Sequence, residues 1–180
     1  MQRKSFHRIQ CGLSMVECCI ALAIVAVLAG AAGPSLLESI KKRTLDGSAG
    51  EMVTDLYLAR TAATSQQEGV RVSFHAATAG SCMLVHTGAT ADCACDSSGV
   101  AQCSNGATLI KGSFYAASRG VAVKANVMSI RFDPTHGMAT PAATVRLTST
   151  GGQEVHHVVN IMGRVRSCSP RGSVKGYKPC

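Results

Sequence analysis

Aromatic side chains are scarce in this 180-residue chain: they make up 4 % of the residues, and there is no tryptophan. A hydrophobic core must therefore be built from Val, Ile, Leu, Met and Ala. Catalytic signatures are lacking as well, since the sequence contains no Gly-x-Ser-x-Gly, no phosphate-loop glycine motif and no paired-carboxylate signature. We therefore expect no enzymatic activity, no catalytic residue and no cofactor.

The histidines do not form a metal-binding pattern. His156 and His157 are adjacent in an apparent strand, so their side chains are predicted to point to opposite faces. His75, His86 and His136 are isolated along the sequence. We predict surface or packing roles for these residues and no metal site.

Acidic residues are missing from both ends of the chain, although the net charge is +8. Residues 1–12 contain three basic side chains and no acidic one. Residues 155–180 also lack acidic side chains and contain Arg164, Arg166, Arg171, Lys175 and Lys178. This distribution favours an acidic partner, such as nucleic acid or an anionic surface.

Nine cysteines are present, of which Cys11, Cys18 and Cys19 lie near the N-terminus. The other six are Cys82, Cys93, Cys95, Cys103, Cys168 and Cys180. An even number beyond an apolar segment predicts disulfides in an oxidising compartment. A disulfide between Cys168 and Cys180 is expected because the tail would otherwise be unanchored, and the remaining four cysteines allow three pairings. A zinc site at Cys93, Cys95 and Cys103 is the competing interpretation, but its spacing is not a standard one.

The apolar run from Leu13 to Ala32 contains one carboxylate, Glu17. A conventional signal peptide cleaved near residues 29–31 would leave this acid in its apolar core, and a central carboxylate costs about 2.5–3.5 kcal/mol on insertion scales. Cleavage after Gly12 would instead create an α-amino group at Leu13, about one helical turn from Glu17. That amine could neutralise the carboxylate, within one subunit or between neighbours.

Gly12 and the following Leu13-Ser14-Met15-Val16-Glu17 resemble the prepilin-peptidase site of the type IV pilin-like family, with Leu where Phe is commoner. The resemblance implies that prepilin peptidase removes the leader 1–12, that Leu13 is N-methylated, and that Glu17 guides filament assembly. It also implies a single inner-membrane helix at 13–35, a globular domain at 36–180 in the periplasm, and export into a pilus or pseudopilus with other pilins.

Beyond the membrane segment, apolar residues at helical spacing predict an amphipathic half-helix over 36–66. The period then changes to two, which predicts a β domain over 67–167. The predicted strands are 70–74, 82–86, 107–111, 120–125, 127–132, 143–149 and 155–162. Residues 87–106 are predicted to form a loop tied by disulfides.

Segments 55–74 and 129–168 resemble the FimT/GspH subgroup, whose members are minor pilins or minor pseudopilins of type II secretion systems. The resemblance implies an α+β, pilin-like fold. In the fold that it implies, a long N-terminal helix, membrane-spanning in its first half, packs on a C-terminal antiparallel two-sheet β domain.

The basic tail 163–180 begins with Gly163-Arg164-Val165-Arg166, which resembles the G-R-x-R element of FimT-like minor pilins. In that group the element is linked to DNA binding in natural transformation. We therefore expect Arg164 and Arg166 to be the main contacts with extracellular double-stranded DNA, assisted by Arg171, Lys175 and Lys178. The alternative is a purely structural role, either as a GspH-like minor pseudopilin of a type II secretion system or as an assembly-priming minor pilin.

Overall fold

The computed structural model describes residues 14–180, with the exception of the side chains of residues 31–35. The chain divides into two units between Glu38 and Ser39. A single helix, α1 (Met15–Gln66), runs through this boundary and includes residues 15–35 of the first predicted helical half and all of the second, 36–66. The helix ends at Gln66, where the sequence pattern changes from the helical period to a period of two.

The N-terminal unit consists of the first part of α1. Its large apolar side chains are exposed, among them Met15 at 85 % and Val27 at 72 %. Among the residues whose side chains are described, no helix is both long enough and apolar enough to cross a membrane.

Twelve strands follow in the described part of the chain, with two short 3-10 turns between them. They are β1 (Val70–Ala77), β2 (Gly80–Thr87), β3 (Cys93–Cys95), β4 (Ala101–Cys103), β5 (Leu109–Ala116), β6 (Val121–Ala125), β7 (Ser129–Phe132), β8 (Ala139–Thr140), β9 (Ala143–Ser149), β10 (Glu154–Val159), β11 (Val165–Ser169) and β12 (Lys178–Pro179).

The strands form two five-stranded sheets, as the sequence resemblance implies. The first sheet has the order β5-β2-β1-β7-β8 and the second has the order β12-β11-β10-β9-β6. Their strand pairs are antiparallel except for β11 with β12, which is parallel. β3 and β4 form a separate small hairpin inside the predicted loop 87–106.

The core of the second unit lies between α1 and the inner faces of the sheets. The helix contributes fully buried Leu45, Met52 and Leu56, and the sheets contribute residues such as Phe132 and Leu147. Burying one such side chain stabilises the fold by about 1.5–3 kcal/mol relative to exposure. Aliphatic side chains thus supply most of the core, as the scarcity of aromatic residues requires.

Asp55 departs from the predicted helical pattern, which places acidic residues on the solvent side. It is fully buried, where it accepts a hydrogen bond from Ser113 at 2.6 Å and is ion-paired with Lys111. The carboxylate is tolerated in the core because its partners on β5 replace the lost hydration.

The predicted end of the β domain at residue 167 is wrong. β11 continues to Ser169, and β12 adds a strand from within the tail. The last long predicted strand ends earlier than expected, at Val159, because residues 160–163 form a turn.

Candidate nucleic-acid interface

The G-R-x-R element lies in the hairpin between β10 and β11. The Gly163 N–H donates to the Asn160 carbonyl at 2.9 Å, and the Asn160 N–H donates to the Arg164 carbonyl at 3.1 Å. The Asn160 side chain also accepts from the Arg164 N–H at 2.9 Å. Four residues therefore form a closed turn, and the backbone of Arg164 is held at its exit.

Gly163 is required by this turn for two reasons. Its φ is +72°, in the left-handed region that side chains disfavour. An added Cβ would also lie 2.1 Å from the Gly137 carbonyl oxygen and 3.0 Å from Arg60 Nε. The glycine of the motif therefore serves packing, while the arginines beside it are free for contacts.

Arg164 and Arg166 are exposed on either side of Val165, which is buried. This alternation places both guanidinium groups on the outward side, with their Cα atoms about 7 Å apart. The carbonyl of Val165 accepts a hydrogen bond from Tyr57 on α1 at 3.5 Å. The backbone under the two arginines is thus attached to the helix.

The tail after β11 is closed by a disulfide between Cys168 and Cys180, the pair that the sequence suggests. The expectation that the tail would otherwise be unanchored is wrong. Val174 is buried, and the Tyr177 hydroxyl donates to the Asp46 carboxylate on α1 at 2.8 Å. Burial and this hydrogen bond raise the pKa of Tyr177 to about 12.

The three remaining cations of the tail are also exposed. Arg171 lies in a 3-10 turn with φ of +56°, and Lys178 pairs in register with Cys168 at the edge of the second sheet. Lys175 lies between them, next to buried Val174. Within residues 14–30 and 36–180, none of the five basic side chains of the tail forms an ion pair. Five exposed cations therefore have no neutralising carboxylate.

The sequence model of the family described as type II transport protein GspH matches residues 48–163, which is more than half of the chain. The chain belongs to the GspH family. A GspH-family chain is a minor pilin or pseudopilin, and the type IV pilin-like architecture described above agrees with that assignment.

Two solved structures are similar to this GspH-family chain, and both are crystal forms of the type IV minor pilin FimU from Pseudomonas aeruginosa. The P21 form has a TM-score of 0.51 and 16 % identity, and covers 71 % of this chain and 92 % of the FimU chain. The P65 form has a TM-score of 0.49 and 16 % identity, with 70 % and 97 % covered. At this identity the first likeness shows a shared fold. No curated protein sequence matches the chain.

The family match ends at Gly163, so Arg164 and the rest of the basic tail lie beyond it. The GspH-family assignment therefore accounts for the fold and the hairpin turn. It does not account for the cations that follow.

Two further disulfides fix the loop beside the first sheet. Cys93 bonds Cys103, its register partner across β3 and β4, and Cys82 on β2 bonds Cys95. One of the three open pairings is thus selected, because the β3–β4 hairpin brings Cys93 opposite Cys103. Cys18 and Cys19 are exposed free thiols in α1.

The predicted assembly residue Glu17 lies in the first turn of α1. Its backbone N–H donates to the Ser14 hydroxyl at 3.2 Å, which caps the helix. A carboxylate in this position is also favoured by the positive end of the helix dipole. The predicted cleavage and methylation site, Gly12 and Leu13, lies outside the described residues.

The adjacent histidines occupy opposite faces of β10, as predicted. His157 is buried and bonds Ser167 at 2.9 Å, whereas His156 is partly exposed beside Glu154 at 3.1 Å. Burial and the neighbouring His156 lower the pKa of His157 to about 4. His157 is therefore a neutral core residue at physiological pH.

Two basic residues of the second sheet are absent from the sequence-based site. Lys124 on β6 and Arg146 on β9 are exposed and directly opposite each other. Each alternates with buried residues, so the sequence indicates that both point outward. The sequence does not indicate that they are neighbours, because the pairing of β6 with β9 skips two strands.

Proposed function

We propose that this chain is a FimT-like minor type IV pilin whose basic tail binds extracellular double-stranded DNA without sequence preference, for uptake in natural transformation. The observation that carries the proposal is the exposure of Arg164 and Arg166 on a hairpin closed by hydrogen bonds, with no ion-pairing carboxylate in the described part of the chain. Arginine's planar fork suits bidentate contact with phosphate.

The loop closed by Cys168 and Cys180 supports the same function. It returns the chain to the edge of the second sheet, so that Lys178 lies beside β11. Arg171 and Lys175 are held on the same closed segment. Auxiliary contacts from this loop need little ordering on binding, which favours affinity.

The proposal includes processing and location. Prepilin peptidase cleaves between Gly12 and Leu13, Leu13 is methylated, and the new amine pairs with Glu17 in a filament with other pilins. Helix 13–35 anchors the chain in the inner membrane before export, with residues 36–180 in the periplasm. The three disulfides, which pair all six cysteines beyond the apolar segment, support an oxidising compartment. Intact mass of the membrane-extracted protein tests the cleavage, since a mature start near Ala32 would contradict it.

DNA binding is tested with the full-length chain in non-ionic detergent and a labelled duplex of arbitrary sequence. If the tail neutralises two to four phosphates, it contributes about −2 to −4 to the slope of log affinity against log salt, at about −0.9 per phosphate. The double variant Arg164→Gln with Arg166→Gln should flatten the slope by up to about two units and largely abolish binding.

The matched control is the double variant Arg119→Gln with Arg131→Gln, which removes the same charge from exposed positions outside the tail. It should bind DNA nearly as the unmodified chain does. Absence of DNA binding at low salt by a folded chain would eliminate the proposal. An equal loss of DNA affinity in both double variants would show that binding depends on the net charge of the chain and not on the tail arginines.

A structural role is the second candidate, supported by the match to the type II transport protein GspH. In that case the chain is a minor pseudopilin or an assembly-priming minor pilin, and the tail contacts another subunit. The tail double variant would then lose filament incorporation or secretion while the unmodified chain shows no affinity for DNA.

A further inference from the structure

On the outward face of the second sheet, a row of register partners crosses the strands and includes the cations Lys124, Arg146 and Lys178. Lys124 is the register partner of Arg146, Arg146 of His156, His156 of Cys168, and Cys168 of Lys178. Register partners point to the same face, and strands are about 4.8 Å apart, so the row spans about 19 Å. The row therefore places the tail residue Lys178 and the sheet residues Lys124 and Arg146 on one surface.

The hairpin arginines border this row. Arg166 pairs in register with Val158, which pairs with Thr144, two residues from Arg146 on β9. Two strand steps and two residues along the strand place the Cα atoms of Arg166 and Arg146 about 12 Å apart. We call the surface formed by Lys124, Arg146, Arg166 and Lys178 the basic face.

The sheet cations of the basic face lack internal partners. In the described part of the chain, neither Lys124 nor Arg146 forms an ion pair or a side-chain hydrogen bond. Arg71, an arginine on the first sheet, instead donates to the Ser129 hydroxyl at 2.9 Å. Like charges directly opposite each other across strands are destabilising. The repulsion between Lys124 and Arg146 therefore lowers the stability of the fold, and no ion pair in the described part of the chain offsets it.

A cleft of about 500 Å³ lies at these two residues and is lined also by Asn126, Thr148 and Glu154. The two cations at its wall, which have no ion-pair partner in the described part of the chain, favour an anionic group in this cleft. Glu154 is the one carboxylate among the lining residues, and its oxygen lies 3.1 Å from His156 Nε2.

We infer that the basic face is a continuous duplex-binding surface, on which Lys124 and Arg146 contact backbone phosphates beyond those bound by the tail. This inference rests on the proposed DNA-binding function and extends its site from the tail onto the sheet. Duplex DNA is the occupant because its phosphates recur over the length of the row, which suits several separated cations. Its contacts are to phosphate, so binding stays independent of sequence.

The test compares four full-length proteins in non-ionic detergent at several salt concentrations: the unmodified chain, the tail double variant, the Arg119→Gln/Arg131→Gln control, and Lys124→Gln with Arg146→Gln. Removing the two sheet cations should lower affinity at least about tenfold at 50 mM salt and flatten the salt slope by up to about two units. The unmodified slope should exceed the tail's own contribution by the same amount. The thermal transition should not fall, because a repulsive pair is removed.

Each outcome decides between the two claims. Loss of affinity in the tail and sheet variants but not in the control supports the basic face. Loss in the tail variant alone overturns the inference and leaves the proposed function standing. A sheet variant that binds DNA normally but fails to enter filaments would identify the face as a subunit contact, which also overturns the inference. No binding by the unmodified chain removes both claims.

Discussion

Replacing Gly163 by alanine separates the structural role of the G-R-x-R glycine from the binding role of its arginines. Gly152 provides a matched control, because it occupies the same position in the neighbouring β9–β10 hairpin. Its N–H donates to Ser149 at 2.9 Å, and its φ is +75° against +72° for Gly163. The two positions differ in their surroundings: nothing lies within 4 Å of a Cβ added at Gly152, whereas Gly137 O lies 2.1 Å from one added at Gly163.

The expected free energies of unfolding follow from this difference. Both variants lose about 1–2 kcal/mol because alanine is forced into a left-handed conformation. Gly163→Ala loses about 1–3 kcal/mol more, because the turn at 160–163 must move away from the turn at 133–137, which contains Gly137, to admit the methyl group. For a chain of this size, 1 kcal/mol moves the melting temperature by about 2–4 °C, so the melting temperatures of the two variants should differ by about 2–12 °C.

Thermal unfolding followed by circular dichroism measures this difference, and the DNA-binding assay follows its consequence. Separating the turns displaces the backbone of Arg164, so Gly163→Ala should also bind DNA more weakly at temperatures where it remains folded. Gly152→Ala should bind as the unmodified chain does. Equal melting temperatures for the two variants would refute the packing argument for Gly163.

Three further predictions concern other parts of the chain. The pKa of His157 is about 4 in the folded state and about 6.5 in the unfolded state. Between these pH values the unfolded state binds more protons. The free energy of unfolding should therefore fall by about 3 kcal/mol as the pH drops from 6.5 to 4. Unfolding measured against pH should show this slope, which His157→Gln reduces and the exposed-site control His136→Gln does not; an unchanged slope in His157→Gln would contradict the assignment. Tyr177→Phe removes the hydrogen bond to Asp46 and should lower stability by about 1 kcal/mol, and an unaltered melting temperature would show that the bond contributes nothing in solution. Glu17→Ala should leave unfolding of the β domain unaltered yet impair incorporation into filaments, and normal incorporation would argue against pairing between Glu17 and a neighbouring amine.

The sequence alone determined the class of the fold and much of its order along the chain. Helical periodicity ends at Gln66, and alternation of apolar and polar residues after it predicts most of the strands, because backbone geometry fixes the periods of 3.6 and 2 locally. The G-R-x-R motif at Arg164 and Arg166 could also be recognised in the sequence, because it consists of four consecutive residues. The placement of His156 and His157 on opposite faces of a strand could be predicted too, because side chains alternate along any strand.

Tertiary structure decided what depends on pairing between distant residues. The burial of Asp55 requires β5 to supply Ser113, and the choice of Cys93–Cys103 requires the β3–β4 register. Likewise, Lys124 and Arg146 are 22 positions apart in the sequence, yet they lie opposite each other because β6 pairs with β9 rather than with its sequence neighbour. Local periodicity shows that each of these two side chains faces solvent, but only long-range strand order makes them adjacent and joins them to the tail.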